Sequence, residues 1–373
     1  MKYSKVSVAG MGITPFGQFP ERSLLDLTAP AVRDALDTAS LSLRDIDVVF
    51  AGNATGPVGA VTAVAEGLGI SGIPVTRVEQ ACASGSTALR LACEAVESGA
   101  ARNALAFGVE KMGGGVLQLD PQPTYESRLG LDMFPLLYAL KSQQYLDFTE
   151  STVRDLAAVA EKARRLGAQA THAATAAPAS VEEILASPMI ADPVTRLQCC
   201  RNVDGAAAII VTSKTSPGAL RIAGGLGGIS IDDPNRPMTN GWDAREWIVE
   251  DMARKLYEQC GVGPSDIDLL QVNDAFTVAE PLYLEALGFV EPGGGLALQV
   301  DGRTDITGDI PTNTDGGLIG RGHSLGCTGL AMAYEICLQL KGAAGDRQMA
   351  KRGRAGLLQS HGYGGENLFV FTV

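Results

Sequence analysis

Apolar positions along this chain follow two spacings, and the spacings take turns. Residues 5–10 alternate as a short strand, and over residues 23–40 Leu25, Leu27, Ala31, Val32 and Leu36 share one face of a helix. Residues 45–53 read as the next strand. Val75, Thr76 and Val78 form a β-branched run leading to a helix over 87–98, whose Ala88, Leu89, Ala92, Cys93 and Val96 fall at helical spacing before Gly99 stops it. Cys82 therefore stands where a strand turns into a helix. Residues 205–212 read as a short buried strand, and an amphipathic segment at about 246–260 precedes a further strand over 266–274.

Two stretches recur. Residues 45–53 lie over 266–274 at an offset of 221, and residues 82–89 lie over 323–330 at an offset of 241, with Gly85/Gly326, Thr87/Thr328, Leu89/Leu330, Ala92/Ala333 and Glu94/Glu335 agreeing. Two matches in the same order point to a duplicated unit. Strands alternating with helices in such a unit predict an α/β fold of two mostly parallel sheets in a layered arrangement. Its pseudo-symmetry sets the turn bearing Cys82 opposite the turn bearing His323, so that a nucleophile and a base from opposite halves meet at two helix starts.

Between about 113 and 199 the alternation gives way to Gly- and Pro-containing loops and helices, one of them over 152–166 with a Thr152/Asp155 capping box. This reads as an inserted loop domain. The expected organisation is an N-terminal α/β half over 1–112 completed by 200–215, the insertion over 113–199, and a C-terminal α/β half over 216–373.

Composition narrows the function. A chain of 373 residues with 46% hydrophobic content can bury a large core, and its net charge of −12 disfavours nucleic acid, which needs a basic face. The amino terminus enters a strand without an apolar leader, and no apolar run approaches the roughly 18 residues of a membrane span. Seven cysteines without a CxxC spacing argue against a disulfide framework or a zinc site and for a reducing, cytoplasmic setting; no metal is expected. Small neighbours, Ala81, Ala83, Ser84 and Gly85, leave room beside Cys82, and the unpaired amides of a first helical turn are expected to lower its pKa and favour thiolate. Of three histidines, His323 and His361 stand in glycine-rich loops, poor positions for core packing and good ones for chemistry. His172 reads as a surface or loop residue. Cys93, Cys199, Cys200, Cys260, Cys327 and Cys337 read as packing.

Four elements in order, Cys82, the segment from Asn273 to Phe276, the stretch from Gly316 to Gly326 and the near-terminal Ser360 to Gly365, resemble the active-site loops of the thiolase superfamily. Residues 108–112 and 204–208, with a histidine near the carboxyl end, look most like its sterol-carrier-protein type. The resemblance spans nearly the whole chain. It implies the duplicated thiolase-type fold, with Cys82 taking an acyl group from a coenzyme A thioester and His323 deprotonating it, although Ser324 stands where proline is usual. Asn273 matches an asparagine that holds a water in an oxyanion site, with Asp274 in place of glutamate. His361 occupies a loop that usually carries a second, acid/base cysteine, and glycines there, Gly362 and Gly364, could present amides to an oxyanion. Neither expected place supplies a second catalytic thiol, so proton transfer at the α-carbon would fall to His361 or Tyr363.

Acyl-CoA and CoA are then the expected substrates, with no permanently bound cofactor, and Arg154, Lys162, Arg164 and Arg165 are one candidate patch for the CoA phosphates. The plainer reading of those four is a solvated helix face. Met133, Phe134, Leu136, Leu137 and Tyr138 suggest an apolar or aromatic acyl group. The first functional expectation is cleavage of a 3-oxoacyl-CoA by CoA or the reverse condensation by a homodimer. The alternatives are a retro-aldol lyase or C-acyltransferase subunit working with a zinc-ribbon/OB-fold partner, and a non-enzymatic scaffold subunit.

Overall fold

Local signals place the elements close to where the pattern sets them. Ser23 caps the helix Leu24–Ala39 by accepting from the Asp26 N–H while Asp26 accepts from the Ser23 N–H, and the helix buries Leu27, Ala31, Val32 and Ala35. The computed structural model describes residues 1–113, 134–174, 177–229, 246–362 and 365–373. Its strands are β1 (Ser7–Ile13), β2 (Val48–Gly52), β3 (Val75–Val78), β4 (Asn103–Glu110), β5 (Met189–Ala191), β6 (Val194–Thr195), β7 (Gly205–Thr212), β8 (Arg221–Ile229), β9 (Leu269–Gln271), β10 (Ala355–Gly362) and β11 (Gly365–Thr372).

Nine of these strands form one sheet in the order β3-β2-β4-β7-β1-β8-β11-β10-β9, while β5 and β6 pair separately. The architecture is the layered α/β one, but the sheet is continuous and mixed where two mostly parallel sheets were expected. Parallel pairing is confined to β2 with β3 and β4, and β9 with β10. The reason lies in the connections: β7 returns from the insertion antiparallel to both β4 and β1, and β10 and β11 form a tight hairpin beside β8. The two halves meet in the sheet where Ser7 pairs with Arg221 and Lys2 bridges Gly224, with the Tyr3 N–H donating to the Ala223 carbonyl and the Ile222 N–H to that of Val6.

The repeat is visible in detail. A 3-10 turn, Leu43–Asp45, precedes β2, and its counterpart Pro264–Asp266 precedes β9. Asp47 then accepts from the N–H groups of Arg102 and Asn103 at 2.7 and 2.9 Å, and Asp268 accepts from those of Arg354 and Ala355 at 2.7 and 3.2 Å. The same carboxylate thus clamps the same strand junction in each half. The helices Ser84–Glu97 and Thr328–Lys341 lie in the core, and their Leu89, Ala92, Leu330 and Ala333 are fully enclosed in one apolar cluster.

A glycine seam sets how closely the halves approach. A Cβ on Gly52, Gly85 or Gly108 would fall 2.4, 2.7 or 2.1 Å from the Gly326 carbonyl oxygen, so only main chain fits between them. Beside the seam the buried Glu110 carboxylate accepts from the N–H groups of Ala54, Thr55 and Gly326, and from the Thr55 hydroxyl and the Asn53 amide. No helix among the described residues is long and apolar enough to cross a membrane.

Candidate active site

Cys82 sits in the 3-10 turn Ala81–Ala83, which leads from β3 into the helix Ser84–Glu97. Ala81 holds a left-handed φ of 44°, a conformation costing a residue with a Cβ about 1 kcal/mol. Ser84 secures it: its hydroxyl accepts from the Gln80 N–H at 2.8 Å and donates to the Ala81 carbonyl at 2.7 Å. Opposite, the loop before the helix Thr328–Lys341 turns at Gly322, with φ of 106°, and delivers His323 so that its Nε2 lies 2.9 Å from the Cys82 Sγ.

The pair is neutral at rest. Burial, reinforced by the Glu110 charge, pushes the Cys82 thiol up to about 12 against a weaker opposing backbone hydrogen bond. Burial, then the Arg321 cation, pushes His323 down to about 3. The thiolate expected from the helix start is therefore not the resting form, because desolvation outweighs the short helical turn's field. Counting protons fixes the tautomer. A neutral thiol donates to Nε2, so the ring proton sits on Nδ1, 2.8 Å from the Thr328 hydroxyl; that hydroxyl then sends its own proton to the Ser324 carbonyl at 2.9 Å. Thr328 was not singled out in the sequence, although it is the repeat equivalent of Thr87.

His361, the last residue but one of β10, lies directly across the hairpin from Glu366, with its Nδ1 2.5 Å from the carboxylate. Glu366 is buried and also accepts from Gln359 at 3.0 Å. Burial alone would lower the His361 pKa, but the Glu366 charge and hydrogen bond outweigh it and raise it. The two histidines are thus tuned apart, one backed by a hydroxyl and a cation, the other by a carboxylate. Such a split separates acid from base duties. Glu366 also escaped the sequence reading; its signal is register, five residues beyond His361 around a hairpin.

Asn273, buried beyond β9, has its N–H held by Gln359 at 3.0 Å while its Oδ1 has no partner among the described residues. A buried acceptor left open in a cavity is placed for a water or a substrate donor. Asp274 faces away, capping the short helix Gly317–Gly320 through the Leu318 N–H at 2.7 Å, with burial holding its carboxyl well above the usual range. Gly362 abuts the turn bearing Cys82: a Cβ there would lie 2.3 Å from the Ala83 nitrogen and 2.8 Å from that of Cys82. Gly364, Tyr363 and Met133 lie outside the described residues.

Cys82, His323, Asn273 and His361 line one cavity of about 480 Å³. Phe134, Tyr138, Ile190 and Phe276 give it an apolar wall, and the rings of Tyr138 and Phe276 stack at 4.4 Å. Cys199 and Cys200 join that wall, where packing alone was expected, and burial pushes both thiols up. Leu137 is exposed.

Of the expected phosphate patch, Arg154, Lys162 and Arg165 line one groove of about 310 Å³, and Arg164 does not join them. Lys162 is buried and ion-paired with Glu280, with the Thr304 hydroxyl at 3.2 Å, because the inner face of its helix packs over the buried Glu280. Arg154 pairs with Glu182 at 2.6 Å and Arg165 with Asp305 at 2.5 Å, while Arg164 turns to the opposite side, towards Arg196 and Arg201. His172 is not a surface residue: it is buried 3.3 Å from Asp315 and edge-on to Tyr334. His172, Asp315 and Glu335 come close enough to hold a cation, but Arg321 and Arg347 already pair with the two carboxylates at 2.5 and 2.7 Å.

With this geometry in place, comparison identifies the class. Residues 6–215 match the thiolase N-terminal domain, and residues 243–370 the thiolase C-terminal domain-like family. The chain belongs to the thiolase family, a class of acyltransferases. Among its relatives, an acetyl-CoA acetyltransferase of Methanothermobacter thermautotrophicus is 35% identical over 365 residues, covering 92% of this chain and 93% of that protein. The benzoylsuccinyl-CoA thiolase subunit BbsB of Thauera aromatica is 32% identical over 348 residues, covering 90% and 89%. Human sterol carrier protein 2 is 31% identical over 369 residues, covering 92% of this chain and 68% of that protein. A solved Ltp2-ChsH2(DUF35) aldolase shares the fold with a TM-score of 0.85 at 23% identity, covering 100% of this chain and 99% of that one. Human mitochondrial 3-ketoacyl-CoA thiolase shares it with a TM-score of 0.71 at 17% identity, covering 98% of each chain.

Proposed function

We propose that the chain cleaves a 3-oxoacyl-CoA with coenzyme A, or runs the reverse condensation, through an acyl thioester on Cys82. The observation carrying this reading is the 2.9 Å contact of the Cys82 thiol with the His323 imidazole in a cavity that also holds His361 and Asn273. In cleavage, the sulfur attacks the 3-oxo carbon as its proton passes to His323 Nε2. The alkoxide collapses, the C2–C3 bond breaks, and C2 takes a proton from His361 as the two-carbon CoA thioester departs, leaving the shortened acyl group on Cys82. A CoA thiol then gives its proton to His361 and attacks the acyl group, and Cys82 leaves with the proton held by His323. The open Asn273 Oδ1 supports a water at the oxygen of the departing enolate, and Gly362 abuts the Cys82 amide at the attacked carbonyl; such donors are typically worth about 3–4 kcal/mol each. A homodimer in the cytoplasm is the setting this reading carries.

Incubation with acetyl-CoA or a longer acyl-CoA, followed by mass analysis of the Cys82 peptide, tests it. An adduct lost in Cys82→Ala is expected, and no adduct with any thioester sinks the reading.

A second reading keeps the fold and changes the reaction. Because no cysteine stands in the Asn273 or His361 loops, carbon–carbon chemistry rests on His361, which suits a retro-aldol lyase or C-acyltransferase subunit. One relative is itself named as a thiolase subunit, and an aldolase sharing the fold carries a DUF35 partner in its name. Activity appearing only when a zinc-ribbon/OB-fold protein is added would favour this second reading.

A further inference from the structure

A glutamine buried in β10 joins two arms of the catalytic cavity. The parallel ladder between β9 and β10 ends where Gln271 pairs with Leu358. Asn273 lies two residues past that end, and its N–H donates to the Gln359 side-chain oxygen at 3.0 Å in place of a ladder partner. The other end of the same amide reaches across the β10–β11 hairpin. Gln359 Nε2 donates to Glu366 Oε2 at 3.0 Å, and Glu366 Oε1 meets His361 Nδ1 at 2.5 Å. Register explains the reach: Gln359 and His361 are two apart on β10 and share a face, Glu366 is the cross-strand partner of His361, and Gln359 stands diagonal to it.

The chain of bonds has one chemical sense. A main-chain N–H can only donate, so the oxygen of the Gln359 amide faces Asn273 and its NH2 group faces Glu366. Glu366 therefore accepts on Oε2 and offers Oε1 to the imidazole, which leaves His361 Nε2 to exchange a proton with substrate. Asn273, Gln359 and Glu366 are all buried, and an amide with both ends committed inside the protein holds its partners at one separation. In the cleavage proposed above, the oxygen of the departing enolate stands on C1 and His361 serves C2. Groups that attend neighbouring atoms of one fragment have to keep a fixed spacing.

We propose that Gln359 is a positioning residue for proton transfer at C2, holding the Asn273 arm and the His361–Glu366 arm as one unit. This rests on the acyl-cysteine reading above and assigns the control of its proton-transfer step. The test separates that step from acylation. Exchange of the C2 hydrogens of acetyl-CoA in deuterium oxide, measured in Cys82→Ala, reads enolate formation alone: His361 takes a proton from C2 and returns a deuteron acquired from solvent. Acylation by acetyl-CoA, followed by intact mass in protein that keeps Cys82, reads the nucleophile alone. Gln359→Met preserves side-chain length without either hydrogen bond. It should slow exchange by about 10- to 100-fold while acylation stays within about threefold of wild type. Gln359→Glu should recover most of the exchange at about pH 6, where the Glu366 charge beside it keeps the new carboxyl protonated, able to accept from Asn273 and donate to Glu366. Gln359→Met combined with Glu366→Gln should slow exchange little beyond the slower single variant, because both cut one chain.

Exchange at the parent rate in Gln359→Met overturns the proposal. So does equal slowing of exchange and acylation without recovery in Gln359→Glu, which would make the residue a support of the hairpin only, and so does a multiplicative loss in the double variant. Where the methionine variant does not fold, Gln359→Glu decides: its exchange relative to the parent should be near one at about pH 6 and at least tenfold lower at about pH 9, and one ratio at both overturns the proposal. An absence of exchange in the parent overturns it as well. If wild-type Cys82 takes no acyl group from any thioester, the acyl-cysteine reading falls, while exchange in the Cys82→Ala protein still decides the role of Gln359.

Discussion

The imidazole of His361 and the carboxylate of Glu366 meet at 2.5 Å across the β10–β11 hairpin, each the other's register partner. Glu366→Gln keeps an oxygen for the Nδ1–H but removes the charge that offsets burial. The pH limb belonging to His361 in steady-state turnover should then move to lower pH by about one unit, equivalent to ~1.4 kcal/mol. A histidine raised above 6.5 stabilises the fold fully below 6.5 and loses that contribution as pH climbs through its folded value. The stability gap between wild type and Glu366→Gln should accordingly be wider at about pH 5.5 than at about pH 9 in urea melts. An equal gap at both would show the pair to be uncharged.

Thr328 carries a second prediction. Thr328→Val leaves the His323 Nδ1–H without an acceptor, at a cost of about 1–3 kcal/mol, and frees the ring to adopt the tautomer whose Nε2 cannot accept the thiol proton. Single-turnover acylation of Cys82 should slow by about 10- to 100-fold, and Thr328→Ser should restore most of it. A valine variant that acylates at the wild-type rate would remove Thr328 from this role.

Gly362 tests how closely the terminal hairpin packs on the nucleophile turn. The new methyl of Gly362→Ala would lie within 3 Å of the Ala83 and Cys82 nitrogens and so must displace main chain. Acylation should fall by about 100-fold or more while far-ultraviolet circular dichroism stays native, since a shift of about 1 Å in a reacting group is enough.

Glu110 tests the tie between the halves. Glu110→Ala strands donors of Asn53, Ala54, Thr55 and Gly326 at once, and a loss of about 3 kcal/mol in chemical denaturation is expected. The Cys82–His323 contact should loosen with it, seen as slower acylation in protein that is still folded.

Much of this was legible along the chain, and for identifiable reasons. Cys82 and His323 stand at equivalent places of a repeat, so the sequence offset points to their meeting, and their side chains lie 2.9 Å apart. Glu366 and Thr328 were hidden because their partners depend on register and on a single helical turn, which residue type does not reveal. The burial of Lys162 and of His172 is concealed for a different reason. Both are polar residues buried by pairing, with Glu280 and Asp315, and such pairs lie far apart in sequence. The direction of β7 was likewise concealed, since an apolar strand looks the same whichever way it runs.

Because the Gly326 carbonyl lodges against Gly52, Gly85 and Gly108 with no side chain between, the spacing of the main chains that carry Cys82 and His323 is gauged by peptide geometry. A chimera joining the front of this chain to the back of a relative should therefore keep a working pair only if all four glycines travel with it, whatever happens to the surrounding apolar residues.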